Sequence, residues 1–356
     1  MCQACGVGTA KREASMEKAS TIGVDLAKNV MQVHVAGEDG SVLLRTKLSR
    51  DRLLPFLAAQ PKCVVAMEAC GSAHHWGREI GKLGHKVRLI APNYVKPFVK
   101  RQKNDAADAE AICEAAQRPT MRFVAVKSET KQAAAMIFKT RDLLVSQRTQ
   151  AINALRGHLM EFGIVAPPGL HHADKLFAWA TTCKADLPTE VRTLCAVLVD
   201  LIRRYTVQIR AFDLEIAGRA RRDEVAKRLM TIPGVGAVTA TALESLAPPA
   251  GIFRKGRDFA AWMGLTPSQR STGGKPRLGK TSKMGQRDLR RLLILGATAV
   301  VRWAGQHGAP QGSWLARMME KKPRLLVAVA LANKMARIAW AIMARGGVYR
   351  APAAAA

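Results

Sequence analysis

The alternation of apolar and polar residues divides the chain into two parts. From residue 20 to residue 90, short apolar runs rich in β-branched side chains are separated by turn residues, which is typical of strands. Beyond residue 128, polar and apolar positions repeat at the helical spacing. The chain is therefore predicted to begin with a mixed α/β domain and to continue as helices.

The first part contains five predicted strands and three predicted helices. Strands are expected at residues 21–25, 30–36, 42–48, 62–69 and 85–90, and helices at 51–59, 73–83 and 105–117. The order β-β-β-α-β-α-β-α predicts a mixed sheet covered by helices, which is one of the α/β layer solutions. It is the element order of the ribonuclease-H-like fold.

The second part is predicted to be mostly helical. Two long helices, 128 to about 162 and 190 to about 230, should form an arm or hairpin joined by a variable connector at "IVAPPGLHH". Shorter helices are expected at 258–263, 287–302 and 324–344. Between the first two of these lies the loop "TPSQRSTGGKPRLGKTSKMG".

A Gly-Val-Gly turn follows Pro233 in "MTIPGVGAVTATAL". It resembles a helix-hairpin-helix turn, in which the backbone N–H groups of Gly234 and Gly236 can meet a DNA phosphate. A purely structural turn remains equally open from the sequence.

These patterns suggest five segments. They are a disordered leader at 1–19, a catalytic domain at 20–127, a long-helix or coiled-coil region at 128–228, a mostly helical C-terminal domain at 229–346 and a tail at 347–356.

The charge of the chain indicates a polyanionic partner. There are 56 Lys and Arg against 27 Asp and Glu, a net charge of +29. Residues 251–356 contain 20 of the basic residues and 3 of the acidic ones, a net charge of +17. This end of the chain is therefore expected to bind phosphates. No uninterrupted apolar run long enough to span a bilayer and no secretion signal is evident, so membrane insertion is not expected.

The seven cysteines do not indicate a disulfide framework, and a cytoplasmic protein is expected. Cys2 and Cys5 form one CxxC, but zinc needs four ligands and no second pair follows at a suitable spacing.

Four acidic residues are candidate metal ligands. Asp105 and Asp108 lie three residues apart and would share one face of a helix. Asp25 and Glu68 each come late in an apolar strand, where an unpaired carboxylate is costly without a cation or hydrogen bonds. In the expected topology the first and fourth strands are neighbours and the last helix crosses them, so the four acids should converge on Mg²⁺.

Other polar residues near these acids are not expected to be ligands. Glu110 is offset by two residues from Asp108 and is interpreted as a partner for a nearby Lys or Arg. His34, His74 and His75 could approach the same cleft, but they are interpreted as polar surface histidines or as core histidines with satisfied hydrogen bonds.

Ser271 lies in the basic loop near five cations: Arg270, Lys275, Arg277, Lys280 and Lys283. A phosphate would find cationic donors there, and glycines would let the backbone approach it. On composition alone, Ser271 is either a hydrogen-bond donor in a phosphate-binding loop or a nucleophile. Ser268 and Thr272 are rival hydroxyls.

The segments "IGVDLAKN", "AMEACGSAHHW", "VKPFVKRQKNDAADAEAICEA" and "GLTPSQRSTGGKPRLGKTSKMGQRDLRRLLILGA" resemble the DEDD transposases of the IS110 family, particularly its IS1111 subgroup. The resemblance extends from Ser20 to about Gly346. It implies a RuvC-like domain whose four acids are Asp25, Glu68, Asp105 and Asp108, a coiled-coil region, and a C-terminal transposase domain. In that domain Ser271 of "RSTGGK" is the nucleophile.

The resemblance also implies the activity and partners. The implied activity is recombination of donor and target DNA by an insertion-sequence enzyme. The implied cofactor is Mg²⁺, for which Mn²⁺ can substitute. The implied further partner is a bridge-type guide RNA encoded by the element, so that DNA sequence is recognised by base pairing with the RNA. A dimer or tetramer is implied, in a bacterial cytoplasm and associated with the nucleoid, with active sites combining the acids of one protomer and the serine of another.

Two other functions remain open from the residues alone. One is a metal-dependent nuclease of the Holliday-junction type that uses water and the four acids. The other is an architectural protein that binds nucleic acid by charge.

Overall fold

The computed structural model describes residues 19–100, 104–167 and 187–351, together with 169, 172 and 176–179. The predicted leader with Cys2 and Cys5 lies almost entirely outside the described residues, as does the end of the predicted tail. The chain forms two compact units, Met1–Glu129 and Thr130–Ala356.

The first unit is built on a six-stranded mixed sheet with the strand order β3-β2-β1-β4-β5-β6. The strands are β1 Thr21–Asp25, β2 Val30–Ala36, β3 Val42–Ser49, β4 Val64–Glu68, β5 Lys86–Ile90 and β6 Phe123–Val124. The first three strands are antiparallel, whereas β1, β4 and β5 are parallel to one another. The predicted mixed sheet and the neighbouring first and fourth strands are confirmed.

Helices cover both faces of this sheet. They are α1 Leu53–Ala58, α2 Ala73–Lys82, α3 Pro92–Val95 and α4 Asp105–Gln117. Ile22 and Val24 of β1 and Val65 and Met67 of β4 are buried in the same hydrophobic cluster as side chains of α1 and α2. Ala66 is buried instead with α4. Because side chains alternate along a strand, Gly23, Asp25 and Glu68 belong to the α4 face.

Helix α4 begins at the predicted residue for a clear local reason. The side chain of Asn104 accepts a hydrogen bond from the N–H of Ala106 at 3.0 Å, which caps the first turn. Its inward face is made mostly of alanine, so the helix lies close to the sheet. The short helix α3, between β5 and α4, was not predicted.

In its described part, the second unit is helical apart from one small hairpin. Its helices are α5 Glu129–Met160, α6 Thr189–Arg222, α7 Glu224–Leu229, α8 Ala237–Leu246, α9 Gly256–Trp262, α10 Arg287–His307, α11 Trp314–Lys321 and α12 Arg324–Arg345. Helices α5 and α6 run side by side: Ile152 and Leu155 share a buried cluster with Val199 and Ile202, and Arg141 pairs with Asp213 at 2.6 Å. The two long helices are therefore present, while a coiled coil remains a prediction.

Two predictions for this unit need correction, and one helix was missed. The second long helix ends at Arg222 because the Asp223 side chain accepts from the N–H of Ala226 and starts a new helix, α7. Helix α11 was not predicted. The basic loop at 266–285 contains a hairpin, in which β7 Pro267–Gln269 pairs antiparallel with β8 Leu278–Thr281.

The Gly-Val-Gly turn has a packing reason for its first glycine. Gly234 has φ of +84°, and a Cβ there would lie 2.8 Å from Val300 of α10. Gly236 is the N-cap of α8, and open space surrounds the position of its missing Cβ. The close approach of α10 thus explains Gly234, and DNA contact by Gly234 or Gly236 stays a prediction.

Helix α12 is, among the described residues, the one helix long and apolar enough to cross a bilayer, with a mean hydropathy of 1.6 over its most apolar stretch. Val327, Ala332 and Met335 on this helix are buried in the main hydrophobic cluster of the second unit. Its apolar composition is accounted for by this core.

Candidate metal centre and serine hairpin

The carboxyl ends of β1 and β4 carry the first two acids. These strands are parallel, and Val24 lies opposite Met67, so Asp25 and Glu68 are the next residues along each strand. Helix α4 packs across this part of the sheet and carries Asp105 and Asp108 in its first turn. Strand alternation and helix packing thus bring acids from three elements to one region.

Three of the four acids form a tight cluster. Asp25, Asp105 and Asp108 each offer a carboxylate oxygen, and these oxygens all lie within 4.8 Å of one another. Burial, followed by the charges of Asp108, Asp105 and Glu68, raises the pKa of Asp25 to about 6 from 3.8. The cluster therefore resists full ionisation without a cation, and its hard oxygen donors fit a divalent ion such as Mg²⁺.

Glu68 lies near this cluster but outside the group of three. Burial and then the charge of Asp108 raise the pKa of its carboxyl. Its charge is also one of those that raise the pKa of Asp25. Glu68 is thus placed at the edge of the acidic cluster.

Glu110 has the role predicted for it, a partner of basic side chains. Its carboxylate accepts hydrogen bonds from Arg45 at 2.8 Å and from Lys100 at 2.6 Å. The Lys100 hydrogen bond is the main cause that holds the pKa of Glu110 below its usual value. These contacts tie α4 to the sheet at β3.

Two of the three histidines near the acids lie in different surroundings, and the Nδ1 of the buried His34 has no hydrogen-bond partner among the described residues, so it is not a satisfied core histidine. His34 is buried in β2, and this burial is the main cause that lowers its pKa. The Nδ1 of His74 accepts a hydrogen bond from the backbone N–H of Lys127 at 3.2 Å.

Ser271 lies beside the tip of the hairpin. The turn from Thr272 to Lys275 contains Gly273 and Gly274, both with positive φ, as a two-residue type I′ turn requires. The Gly-Gly pair in the sequence indicates a hairpin, but only a loop was predicted here. Ser271 lies two residues beyond the end of β7, directly before this turn, and is exposed.

The hydroxyl groups of Ser271 and Ser268 differ in their surroundings. The side-chain amide of Gln269 donates to the oxygen of Ser271 at 3.0 Å, whereas the hydroxyl of Ser268 donates to the carbonyl of Lys280 at 3.1 Å. The proton of Ser268 is thus engaged by the backbone. The contact of Ser271 with Gln269, the last residue of β7, was not predicted.

The five predicted cations of the hairpin region are all exposed. Among the described residues, no ion pair with an acid involves Arg270, Lys275, Arg277, Lys280 or Lys283. Exposed cations without acidic partners are suited to phosphate oxygens.

Comparison with known proteins places the chain in a family. Residues 22–164 match the family model of the DEDD transposases of the IS110 type, and residues 226–311 match the transposase model of the IS116/IS110/IS902 family. The first match contains all four acids and the second contains Ser271.

Curated relatives resemble nearly the whole chain. A probable family 20 transposase of Pseudomonas aeruginosa is 46% identical over 93% of this chain and 98% of its own length. A putative transposase of Sinorhizobium fredii, y4pF/y4sB, is 44% identical over 98% and 91%. The transposase for insertion sequence element IS1111A of Coxiella burnetii is 36% identical over 96% and 94%. The chain therefore belongs to the IS110 family of insertion-sequence transposases, enzymes that cut and rejoin DNA.

Proposed function

We propose that this transposase cuts and rejoins DNA with a divalent metal ion, Mg²⁺ or Mn²⁺ in its place, held by Asp25, Asp105, Asp108 and Glu68, and with Ser271 as the nucleophile. The observation that carries the proposal is the convergence of three carboxylates within 4.8 Å. Like charges held this close are costly unless a cation compensates them. A bound divalent ion would supply positive charge beside the reacting phosphodiester.

The residues of the hairpin suit a covalent step. In that step the bond between the Ser271 oxygen and phosphorus forms, the bond to the leaving sugar oxygen breaks, and the hydroxyl proton passes to a base while the leaving oxygen takes up a proton. A hydroxyl is a weak nucleophile at neutral pH, so it needs a base and cations that accept charge on the phosphoryl group. The hairpin offers cations, and we propose that the acidic cluster acts on the same scissile phosphate, from the same or another protomer.

The charge of the chain supports a nucleic-acid partner beyond one DNA duplex. A net charge of +29 is suited to holding donor DNA, target DNA and an element-encoded guide RNA together. We propose that pairing with the RNA selects the sites, and that a homo-oligomer in the bacterial cytoplasm, at the nucleoid, carries out recombination. The segments 20–127, 128–228 and 229–346 would act as the acidic domain, the connecting arm and the serine domain.

Asp105→Asn tests the metal role of the acids. The variant should lose recombination of a reporter plasmid in cells and strand cleavage by the purified protein, because one oxygen ligand loses its charge. Glu114→Gln is a matched control on the same helix and should retain both activities, because the one ion pair of Glu114 among the described residues is with Arg118. Normal recombination by Asp105→Asn would contradict the proposal.

The junction-nuclease alternative is favoured by one observation, namely that the acidic cluster is assembled entirely within the first unit. Cleavage by that mechanism would use water and persist in Ser271→Ala.

A further inference from the structure

The contact between α4 and β1 depends on a glycine. Gly23 lies two residues before Asp25 in β1, on the face of the sheet that α4 covers. A Cβ at this position would lie 2.8 Å from the backbone nitrogen of Cys113 and still closer to the carbonyl oxygen of Ala109. These two atoms belong to residues four apart, so the missing Cβ would point at the helix backbone itself.

Neighbouring contacts show that α4 packs closely against β1 here. The side chain of Cys113 is buried, and its thiol donates to the carbonyl of Thr21 in β1 at 3.6 Å. Relief by a side-chain rotation is not available, because the atoms facing Gly23 are two main-chain atoms of α4 and the Cβ of Cys113, and none of these moves when a side chain rotates. A side chain at position 23 would have to move the helix or the strand.

This contact is close in sequence to an acid of the cluster on both the strand and the helix. Asp25 follows Gly23 by two residues on the strand, and Asp108 directly precedes Ala109 on the helix. Restoring an ordinary 3.4 Å contact with the nitrogen of Cys113 from 2.8 Å needs a displacement of about 0.6 Å, and the closer carbonyl oxygen of Ala109 needs more. Metal sites hold their ligands within a few tenths of an ångström, so such a displacement is large for them.

We propose that Gly23 is a positioning residue for the metal centre, whose lack of a side chain lets α4 bring Asp105 and Asp108 within ligand distance of Asp25. This inference rests on the proposed metal site and extends it to a residue that contacts no metal. Gly23 acts through the backbone of α4, and its effect should therefore appear first in metal affinity.

The test is Mn²⁺ binding to the full-length protein, measured by electron paramagnetic resonance at a temperature where circular dichroism shows each variant folded. Gly23→Ala should weaken binding about 10- to 100-fold, as is usual when the support of a metal ligand is disturbed. Gly77→Ala is the matched control: its Cβ would meet only side chains, Val126 and Val87, and the Mn²⁺ affinity should be unchanged.

A second pair of variants covers the case in which Gly23→Ala does not fold. Cys113→Val enlarges the helix at the same contact and should also weaken Mn²⁺ binding, whereas Cys113→Ala makes it smaller and should not. A folded Gly23→Ala protein, or failing that a folded Cys113→Val protein, with wild-type Mn²⁺ affinity overturns the inference.

Asp105→Asn separates this inference from the proposed function. If Asp105→Asn weakens Mn²⁺ binding and Gly23→Ala does not, only the positioning role is wrong. If Asp105→Asn binds Mn²⁺ as wild type does, the metal site is wrong and the positioning role falls with it.

Discussion

At the scale of single residues, Asp25 is the acid whose charged form is most disfavoured by its surroundings. Burial and three neighbouring acids raise its pKa in the folded protein to about 6 from 3.8. The protonated carboxyl therefore favours the fold: this contribution is complete below pH 3.8 and is lost as the pH rises through about 6.

Replacing Asp25 should expose this effect when metal is removed. In EDTA, Asp25→Asn should be more stable than wild type by about 1 kcal/mol near neutral pH, a figure reduced for partial solvent exposure, and should lose the advantage near pH 4. Urea unfolding across this pH range measures it. Adding Mg²⁺ should stabilise the wild type and not the variant, and parallel pH profiles for the two proteins would contradict the prediction.

At the scale of elements, ion pairs also help to hold α4 against the sheet. Glu110 pairs with Arg45 and Lys100, both more than half exposed. Glu110→Gln should lower the free energy of unfolding by about 0.5–1 kcal/mol at neutral pH, since exposed ion pairs contribute little. Because the pKa of Glu110 is lowered by folding, this loss should disappear at acidic pH, where the wild-type carboxyl is protonated too.

Mn²⁺ affinity distinguishes a supporting role of Glu110 from a ligand role. The Mn²⁺ affinity of Glu110→Gln should stay within about twofold of wild type. Exposed ion pairs contribute little to stability, so their loss should leave the position of α4 nearly unchanged. A loss as large as that expected for Asp105→Asn would show that Glu110 is a ligand.

Elements with strong periodic signals were predictable from the sequence. The strand ending at Asp25 and the strand that contains Glu68, predicted at 62–69 and observed at Val64–Glu68, were recognised from their apolar runs, and the neighbouring first and fourth strands followed from element order. The start of α7 was missed because the helical periodicity continues through Asp223, while the cap depends on one side-chain hydrogen bond. The hairpin was missed because its strands contain few apolar residues.

The geometry of the site was predictable only in part. The sequence places four acids in one region, but the 4.8 Å grouping of three, with Glu68 beside it, depends on how α4 lies on the sheet. That distance is decided by backbone packing at Gly23, which sequence periodicity does not report.

At the scale of the whole molecule, the basic charge should appear as salt-dependent DNA binding. Replacing Arg270, Lys275, Arg277, Lys280 and Lys283 together by Gln should reduce the slope of log affinity against log salt for a nonspecific duplex by about 3 to 4.5, because each phosphate contact contributes about 0.9. Filter binding over a salt series measures this slope.

A matched control removes the same charge from the first unit. Five exposed cations suit this purpose: Lys28, Lys47, Arg52, Lys82 and Lys86. Their replacement by Gln should leave the slope nearly unchanged. Equal losses in the two variants would show that the duplex is not gripped mainly by the hairpin.

The most direct test of the proposed chemistry is the covalent protein–DNA adduct. Wild-type protein, incubated with its DNA, the proposed guide RNA and Mg²⁺ and then denatured, should carry DNA attached through the oxygen of Ser271, which peptide mass spectrometry can locate. Ser271→Ala should bind both nucleic acids and form no adduct, whereas Ser268→Ala, whose native hydroxyl is engaged by the Lys280 carbonyl, should still form one. An adduct of undiminished yield in Ser271→Ala would contradict the proposed nucleophile.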